Sequence, residues 1–473
     1  MMAPSGRLLC AAMASAVLVC LTATARGGRV LWSGALTHDS ASLRVSCTTD
    51  NQAVLVSTNA DLSDAVAAFP QAKAGVVGVH VTGLEPDTTY YFGVNGLDEA
   101  APGRFRTVAV PAGQPLSYRV AFASCAFTGA ESPVFGEIVD HDPLFFMHMG
   151  DLHYLNIESD SVEEREASYA AVFASESQSR WLRAFPFVYM WDDHDFGPNN
   201  ADGTFYGSAV ARFAYQKFVP HYPLAETGDT VAPYHAFTVG RVRYIVTDLR
   251  SVSNMPDSSN STLGWAQREW LLREFAAHAD YALMVWVSTK PWMGEEDPGS
   301  DKWAGYAEER RFLANAMKAL GVDNLVVLAG DAHLIGVDLG MHTDFADGGG
   351  AGFPIFHAAP LAQYGSVKDT GPFSEGCFGY RFFNTGQYGV MDVVDDGGEE
   401  VCVKWTAYRQ GLETLTTVRF CTPTMKVGLP QDGDADICSM PFFPPWATFV
   451  VVLICLIGIG GPLWLGWRAV ARR

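Results

Sequence analysis

The sequence predicts an α/β layer structure behind a small β-sandwich, with a membrane-spanning helix near the C-terminus. Three observations carry this. Short runs of alternating apolar residues fill residues 28–112. From residue 115 onward, six apolar runs each stop at a polar cluster, and helical stretches lie between several of them. Finally, residues 446–467 contain no charged side chain.

Composition sets the outer bounds. The chain has 473 residues, more than one ordinary domain, and its 48% hydrophobic content excludes a disordered protein. A charged fraction of 18% excludes a coiled coil. The formal charge of −20 excludes a broad nucleic-acid surface, which needs basic groups against phosphates. A small anionic substrate stays compatible with this charge where cations supply local positive charge.

Both ends read as processing and targeting segments. Residues 1–25 carry Arg7, an apolar run from Leu8 to Leu21, and the small-x-small ending Ala23-Thr24-Ala25, the pattern of a cleaved signal peptide. The 22 residues from Trp446 to Trp467 are long enough to cross a hydrocarbon core. Trp446, Trp464 and Trp467 suit its interfaces, and Arg468, Arg472 and Arg473 mark residues 468–473 as a cytosolic tail. The expected topology is a single-pass type I protein of the plasma membrane or another secretory-pathway membrane. Residues 26–445 then lie outside or in the lumen, with 426–445 as linker. That portion has 28 basic against 52 acidic residues and one glycosylation sequon, Asn260-Ser261-Thr262. Its six cysteines are Cys47, Cys125, Cys377, Cys402, Cys421 and Cys438, in a compartment that favours disulfides. Folding residues 400–408 and 414–421 about Gln410-Gly411 sets Cys402 opposite Cys421, which predicts a bridge.

The first module, residues 28–112, shows strand runs such as Ala41-Ser42-Leu43-Arg44-Val45 and Ala53-Val54-Leu55-Val56. Leu84-Glu85-Pro86-Asp87-Thr88-Thr89-Tyr90-Tyr91 resembles the fibronectin type III pattern, in which a Tyr bonds back to the backbone at a strand corner. This module holds no cluster of metal-ligating residues and reads as a spacer or lid. Pro111-Ala112-Gly113 is the expected boundary.

In the larger domain, residues 115–425, chemistry sits where strands end. The run 118–123 stops at Ser124-Cys125, and 144–149 stops at Gly150-Asp151-Leu152-His153-Tyr154. The run 187–190 leads into Trp191-Asp192-Asp193-His194-Asp195, and 242–246 into Thr247-Asp248-Leu249-Arg250. The run 283–287 stops at Ser288-Thr289-Lys290, and 325–328 at Ala329-Gly330-Asp331-Ala332-His333. In α/β folds the carboxyl ends of the strands form the site crevice. Clustered carboxylates there repel one another unless cations bridge them. A helix is expected over Gly264 to His278, with Trp265, Leu272 and Phe275 facing the core. A second is expected over Tyr306 to Leu320, stopped by Gly321. The paired Gly-Asp turns are the sharpest local signal, because Gly allows a turn directly after a strand and the short Asp has little freedom to move.

The motifs FASC, GDLHY, WDDHDFGPN, STKPW and LAGDAH, in this order and with GQYGVMDV at 386–393, resemble the PhoD-type alkaline phosphatases of the calcineurin-like metallophosphoesterase superfamily. The resemblance implies a four-layer α/β/β/α sandwich, a site with Fe3+ and Ca2+, and hydrolysis of phosphate mono- and diesters. It implies Cys125 as thiolate iron ligand, Asp151 as bridging carboxylate, Tyr154 as phenolate iron ligand, Asp193 as second-block ligand, and Asp331 with His333 as the last ligand pair. His194 matches the residue that contacts phosphate or protonates the leaving group. Arg250 is a phosphate-clamp candidate, since a planar fork binds phosphate oxygens in pairs. Lys290 stands where related enzymes often place a His ligand, and is read as substrate-binding. His148 and His153 are read as core or supporting imidazoles. Asp192 and Asp195 are either supporting carboxylates or helix caps, and Asp248 orients Arg250.

The donor types favour the same chemistry. Tyr and Cys bind metals as anions and suit a highly charged ion, whereas Asp suits calcium or magnesium. The expected function is metal-dependent hydrolysis of small phosphate esters at a cell surface, by a metal-activated water attacking a metal-bound phosphate. The competing reading is an inactive adhesion or receptor ectodomain of the same fold.

Overall fold

Burial alternates along part of the first seven strands. In β2 (Ser40–Cys47) and β3 (Gln52–Ser57), Leu43, Val45, Val54 and Val56 are buried. With β1 (Leu31–Gly34), β4 (Val66–Ala72), β5 (Gly75–Thr82), β6 (Thr89–Val94) and β7 (Gly103–Arg106), they pair in the orders β1-β2-β5 and β4-β3-β6-β7. The Tyr90 hydroxyl accepts the Glu85 backbone N–H at 2.9 Å, which ties the start of β6 to the preceding corner. The computed structural model describes residues 29–72, 75–95, 101–257, 259–365, 370–379, 385–422 and 436–437. The expected signal peptide at 1–25 and membrane span at 446–467 lie outside these. Among the described residues no helix is long and apolar enough to cross a membrane.

The larger body has two sheets. β8 (Tyr118–Ala123), β9 (Phe145–Met149) and β10 (Phe187–Met190) run parallel. So do β12 (Val242–Val246), β13 (Leu283–Ser288), β14 (Leu325–Ala329) and β16 (Pro354–Ala358), while β11 (His235–Val239) and β15 (Ile335–Leu339) are antiparallel to their neighbours. Several of these parallel strands are buried along their whole length, which explains their unbroken apolar runs. After the short β17 (Pro372–Phe373) and β18 (Cys377–Phe378) come the antiparallel β19 (Gln387–Val394), β20 (Val401–Arg409) and β21 (Glu413–Thr422), and then β22 (Asp436–Ile437), which pairs with β17. The sheet orders are β21-β20-β19-β8-β9-β10-β1-β2-β5 and β11-β12-β13-β14-β16-β15-β18. Cys402 and Cys421 face each other in register and form the expected disulfide.

The two sheets pack face to face. Phe122 meets Phe356 edge-on at 4.9 Å between centroids, and Phe145 meets Tyr244 at 5.4 Å. Helices close the outer faces. Beside the first sheet, α1 (Val134–Asp140) supplies Phe135, α2 (Val162–Val172) supplies Tyr169 and α3 (Glu176–Ala184) supplies Trp181, which packs on Phe146 at 4.8 Å. Two further helices, α4 (Asp193–Phe196) and α5 (Ser208–Phe218), follow β10. Beside the second sheet lie α6 (Gly264–Ala276), with Phe275 on Trp286 at 5.7 Å, and α7 (Ala307–Leu320), which ends at left-handed Gly321 as expected.

Two expectations need correction. On α6 the buried line is Gln267, Leu271 and Phe275, and Trp265 is 72% exposed. At about 100° per residue, Trp265 projects about 160° away from Gln267, so the core stripe excludes it. The first module is also no detached spacer. Gly34 pairs with Phe187 at the start of β10, Trp32 is buried against Phe173 and Phe187, and its indole N–H donates to the Phe218 carbonyl at 2.9 Å. A Cβ on Gly34 would lie 2.2 Å from the Pro220 carbonyl oxygen, so this junction requires glycine. It sits at the opposite end of β10 from Asp192 and Asp193.

Candidate metal centre

The site forms where β8, β9, β10 and β14 end. Cys125, Asp151, Asp331 and His333 all take left-handed backbone angles, with φ of 65°, 57°, 58° and 52°. Such angles are costly for these residue types and persist only where the surroundings enforce them. The surroundings here are other strand-end loops. The N–H groups of Cys125 and Ala126 bond to the carbonyls of Gly150 and Asp151 at 3.0 and 2.8 Å. The Ser124 hydroxyl accepts the Asp331 N–H at 3.2 Å, which joins the two sheets. The glycines matter for contact as well as for turning. A Cβ on Gly150 would stand 2.4 Å from that of Asp192, and one on Gly330 would stand 2.4 Å from the Met149 carbonyl oxygen.

The expected ligands converge. Asp151 Oδ2 lies 3.7 Å from Cys125 Sγ and 2.9 Å from the Tyr154 hydroxyl, which is 3.2 Å from His333 Nε2. Ligand atoms of Cys125, Asp151 and His333 lie within 4.8 Å of one another. The same holds for Asp151, Asp193 and His194, and for Asp192, Asp193 and Asp331. One corner therefore offers thiol, phenol, imidazole and carboxylate, and the other offers carboxylates. Tyr154, His194 and His333 are half-buried, whereas the aspartates and Cys125 are buried, so the three rings mark the open side. The His194 Nδ1–H donates to Asn156 Oδ1 at 2.6 Å.

Electrostatics shows what the cluster lacks. Burial, reinforced by the carboxylates of Asp193, Asp192, Asp195 and Asp331, pushes Asp151 well above the usual carboxylate range. Burial raises Asp192 to about 7 although Arg250 opposes it, and burial resists ionisation of Asp193 while Arg250 holds it low. Asp151 Oδ1 and Asp192 Oδ2 are buried with no hydrogen-bond partner among the described residues. Oxygens stranded in this way, between carboxylates that discourage each other's charge, fit a site built for cations.

The other acids support this frame. Asp195 accepts the backbone N–H groups of Asp151, His153 and Asp192 at 2.6, 3.0 and 3.1 Å, so it caps α4 and fixes the Gly-Asp turn together. Asp248 Oδ1 takes the Trp191 indole N–H at 2.8 Å and the Arg250 N–H at 3.0 Å. His153 is buried with its ring against Tyr169, and His148 is buried among Phe146, Trp181 and Tyr189.

Arg250 and Lys290 are not brought to the open side. Both are fully buried, and both bind Asp301, a residue absent from the sequence-based site. Asp301 lies in a polar loop with no strand before it, so periodicity gave no signal. Asn156, two residues past Tyr154, was the more accessible omission.

The sequence model of the PhoD-like phosphatases matches residues 120–371, slightly more than half the chain. The chain belongs to the PhoD-like phosphatase family. It is 25% identical over 320 residues to alkaline phosphatase D of Bacillus subtilis (strain 168), covering 57% of this chain and 55% of that protein, so it spans about half the length of this curated relative. Among solved structures, the fold is similar to that of PhoD, with a TM-score of 0.63 at 19% identity over 82% of this chain and 91% of that one. It is also similar to a purple acid phosphatase isolated from yellow lupin (Lupinus luteus) seeds, with a TM-score of 0.54 at 12% identity over 83% of this chain and 74% of that one. At these identities the two structures show a shared fold.

Proposed function

We propose that this PhoD-like protein hydrolyses phosphate esters with the help of cations held by Cys125, Asp151, Tyr154, Asp193, Asp331 and His333. One observation carries the proposal: side chains spread from residue 125 to residue 333 meet within chelating distance at the ends of strands from two sheets. Thiolate, phenolate and imidazole beside Asp151 suit ferric iron, and the oxygen set of Asp151, Asp193 and Asp331 suits calcium, as the family resemblance implies. Bound metals supply a lowered water pKa and charge neutralisation for a phosphoryl group.

The chain's own groups do the rest. Burial of the aspartates excludes bulk water behind the reacting phosphate. Asn156 Oδ1 accepts a hydrogen bond from the His194 Nδ1–H and orients the ring, so in the imidazolium form Nε2–H is the proton donor to the departing alcohol oxygen, leaving the neutral Nδ1–H tautomer. The half-buried Tyr154 ring lies 4.3 Å from the His194 ring between centroids and limits its rotation.

Two further readings belong to the proposal. The pairing orders β1-β2-β5 and β4-β3-β6-β7, with the Tyr90 corner, support a fibronectin type III-like first module. The Cys402–Cys421 bridge and the apolar segments at 1–25 and 446–467 support a membrane-anchored protein facing an oxidising compartment. The test is turnover of p-nitrophenyl phosphate and bis-p-nitrophenyl phosphate by the full chain at alkaline pH with iron and calcium present. Hydrolysis of at least one is expected. Hydrolysis of neither contradicts the proposal and favours an inactive ectodomain.

A further inference from the structure

The buried Arg250 group differs from a phosphate clamp in where its nitrogens point. Nε donates to Asp192 Oδ1 at 2.5 Å, Nη1 donates to Asp301 Oδ2 at 2.6 Å, and Nη2 lies 3.5 Å from Asp193 Oδ1. Each edge of the fork faces a carboxylate, and its exposure is 0%. Nη2 makes no hydrogen bond among the described residues, yet the whole group is sealed from solvent. Behind it, Lys290 Nζ donates to the other Asp301 oxygen at 2.8 Å and sits 4.9 Å from the centre of the Tyr306 ring. Asp301 thus separates two buried cations that would otherwise repel each other. Together Arg250, Lys290 and Asp301 deliver one net positive charge to the back of the acid cluster. Asp192 also takes the Thr289 hydroxyl at 3.1 Å, so its Oδ1 is held from two sides while Oδ2 has no hydrogen-bond partner among the described residues.

We infer that Arg250 is a positioning residue, locked by Asp301 and Lys290, which fixes the carboxylates of Asp192 and Asp193 for cation binding and does not contact substrate phosphate. Arg is suited to this because one planar group spans three carboxylates, a reach that Lys lacks. Groups that orient ligating carboxylates typically influence metal affinity as well as activity. Pairing also explains the charges here: burial resists ionisation of Asp301, yet Arg250 and Lys290 outweigh it and hold the carboxyl at about 2.

The inference rests on reading the acid cluster as a cation site, and its test separates the two. Calcium binding to the full-length protein is measured by titration calorimetry for the parent, Arg250→Lys and Asp301→Asn. Inhibition by inorganic phosphate is measured at saturating calcium, and circular dichroism confirms folding. Both variants are expected to bind calcium ~10-fold or more weakly, with phosphate inhibition constants close to the parent's once calcium is restored. Unchanged calcium binding in folded variants overturns the positioning role, whether or not phosphate inhibition weakens. A parent that binds no calcium overturns the cation-site reading itself. Asp301→Asn preserves shape and leaves Arg250 in place, so it decides the matter alone if Arg250→Lys does not fold.

Discussion

The open and closed sides of the acid cluster use similar residue types for different ends. On the open side, Tyr154, His194 and His333 are half-buried and bond to Asp151, to Asn156 and to one another. On the closed side, Arg250 and Lys290 are sealed from solvent and matched to Asp192, Asp193 and Asp301. Charge and motif position alone make Arg250 and His194 look equally suited to phosphate. Depth separates them: a group reached by solvent can meet substrate, and a group surrounded by carboxylates acts through those carboxylates.

Substitutions on either side test this contrast. The largest effect is expected at Asp151, where the two ligand corners meet. Asp151→Asn lowers turnover of p-nitrophenyl phosphate at least about a hundredfold, the scale of losing a key charge-stabilising group; near-parental turnover would remove Asp151 from the site. On the open side, His194→Gln lowers kcat by ~10²-fold or somewhat less and leaves calcium affinity unchanged. A matching loss of calcium affinity would make His194 a ligand and erase the distinction between the sides.

Smaller effects belong to the frame. His148 on β9 and His357 on β16 are fully buried, with both ring nitrogens lacking partners among the described residues, and burial lowers each from 6.5 to about 3. In the unfolded chain they take up protons below pH 6.5 while the native protein does not, so stability is lost as pH falls through that range. At pH 5 each contributes about 2 kcal/mol of that loss. His148→Leu should therefore show a smaller drop in thermal midpoint between pH 8 and pH 5 than the parent, and an equal drop would contradict a neutral buried imidazole. Least of all, Trp191→Phe removes one hydrogen bond to Asp248 and costs about 1 kcal/mol of stability, measured by denaturant unfolding, with kcat nearly unchanged.

Strand existence was legible because buried parallel strands leave unbroken apolar runs, and Gly150-Asp151 and Gly330-Asp331 marked where two of them end. The six expected ligand positions stand at or just after strand ends, and their roles were read from the motif resemblance. What escaped was depth and angle. The sequence of α6 contains Trp265 beside Gln267 without showing that the polar residue faces inward, where its amide bonds the Asp248 backbone. Arg250 follows a strand as His194 does, and only the fold shows that Asp301, 51 residues later, closes over it. Loop-borne partners leave no periodic trace.

The most direct test of the central claim is metal analysis of the purified full-length protein combined with its visible spectrum. More than one metal ion per chain is expected, including iron, with a charge-transfer band that weakens in Tyr154→Phe and in Cys125→Ala. A colourless protein without bound metal after iron and calcium are supplied would contradict the account.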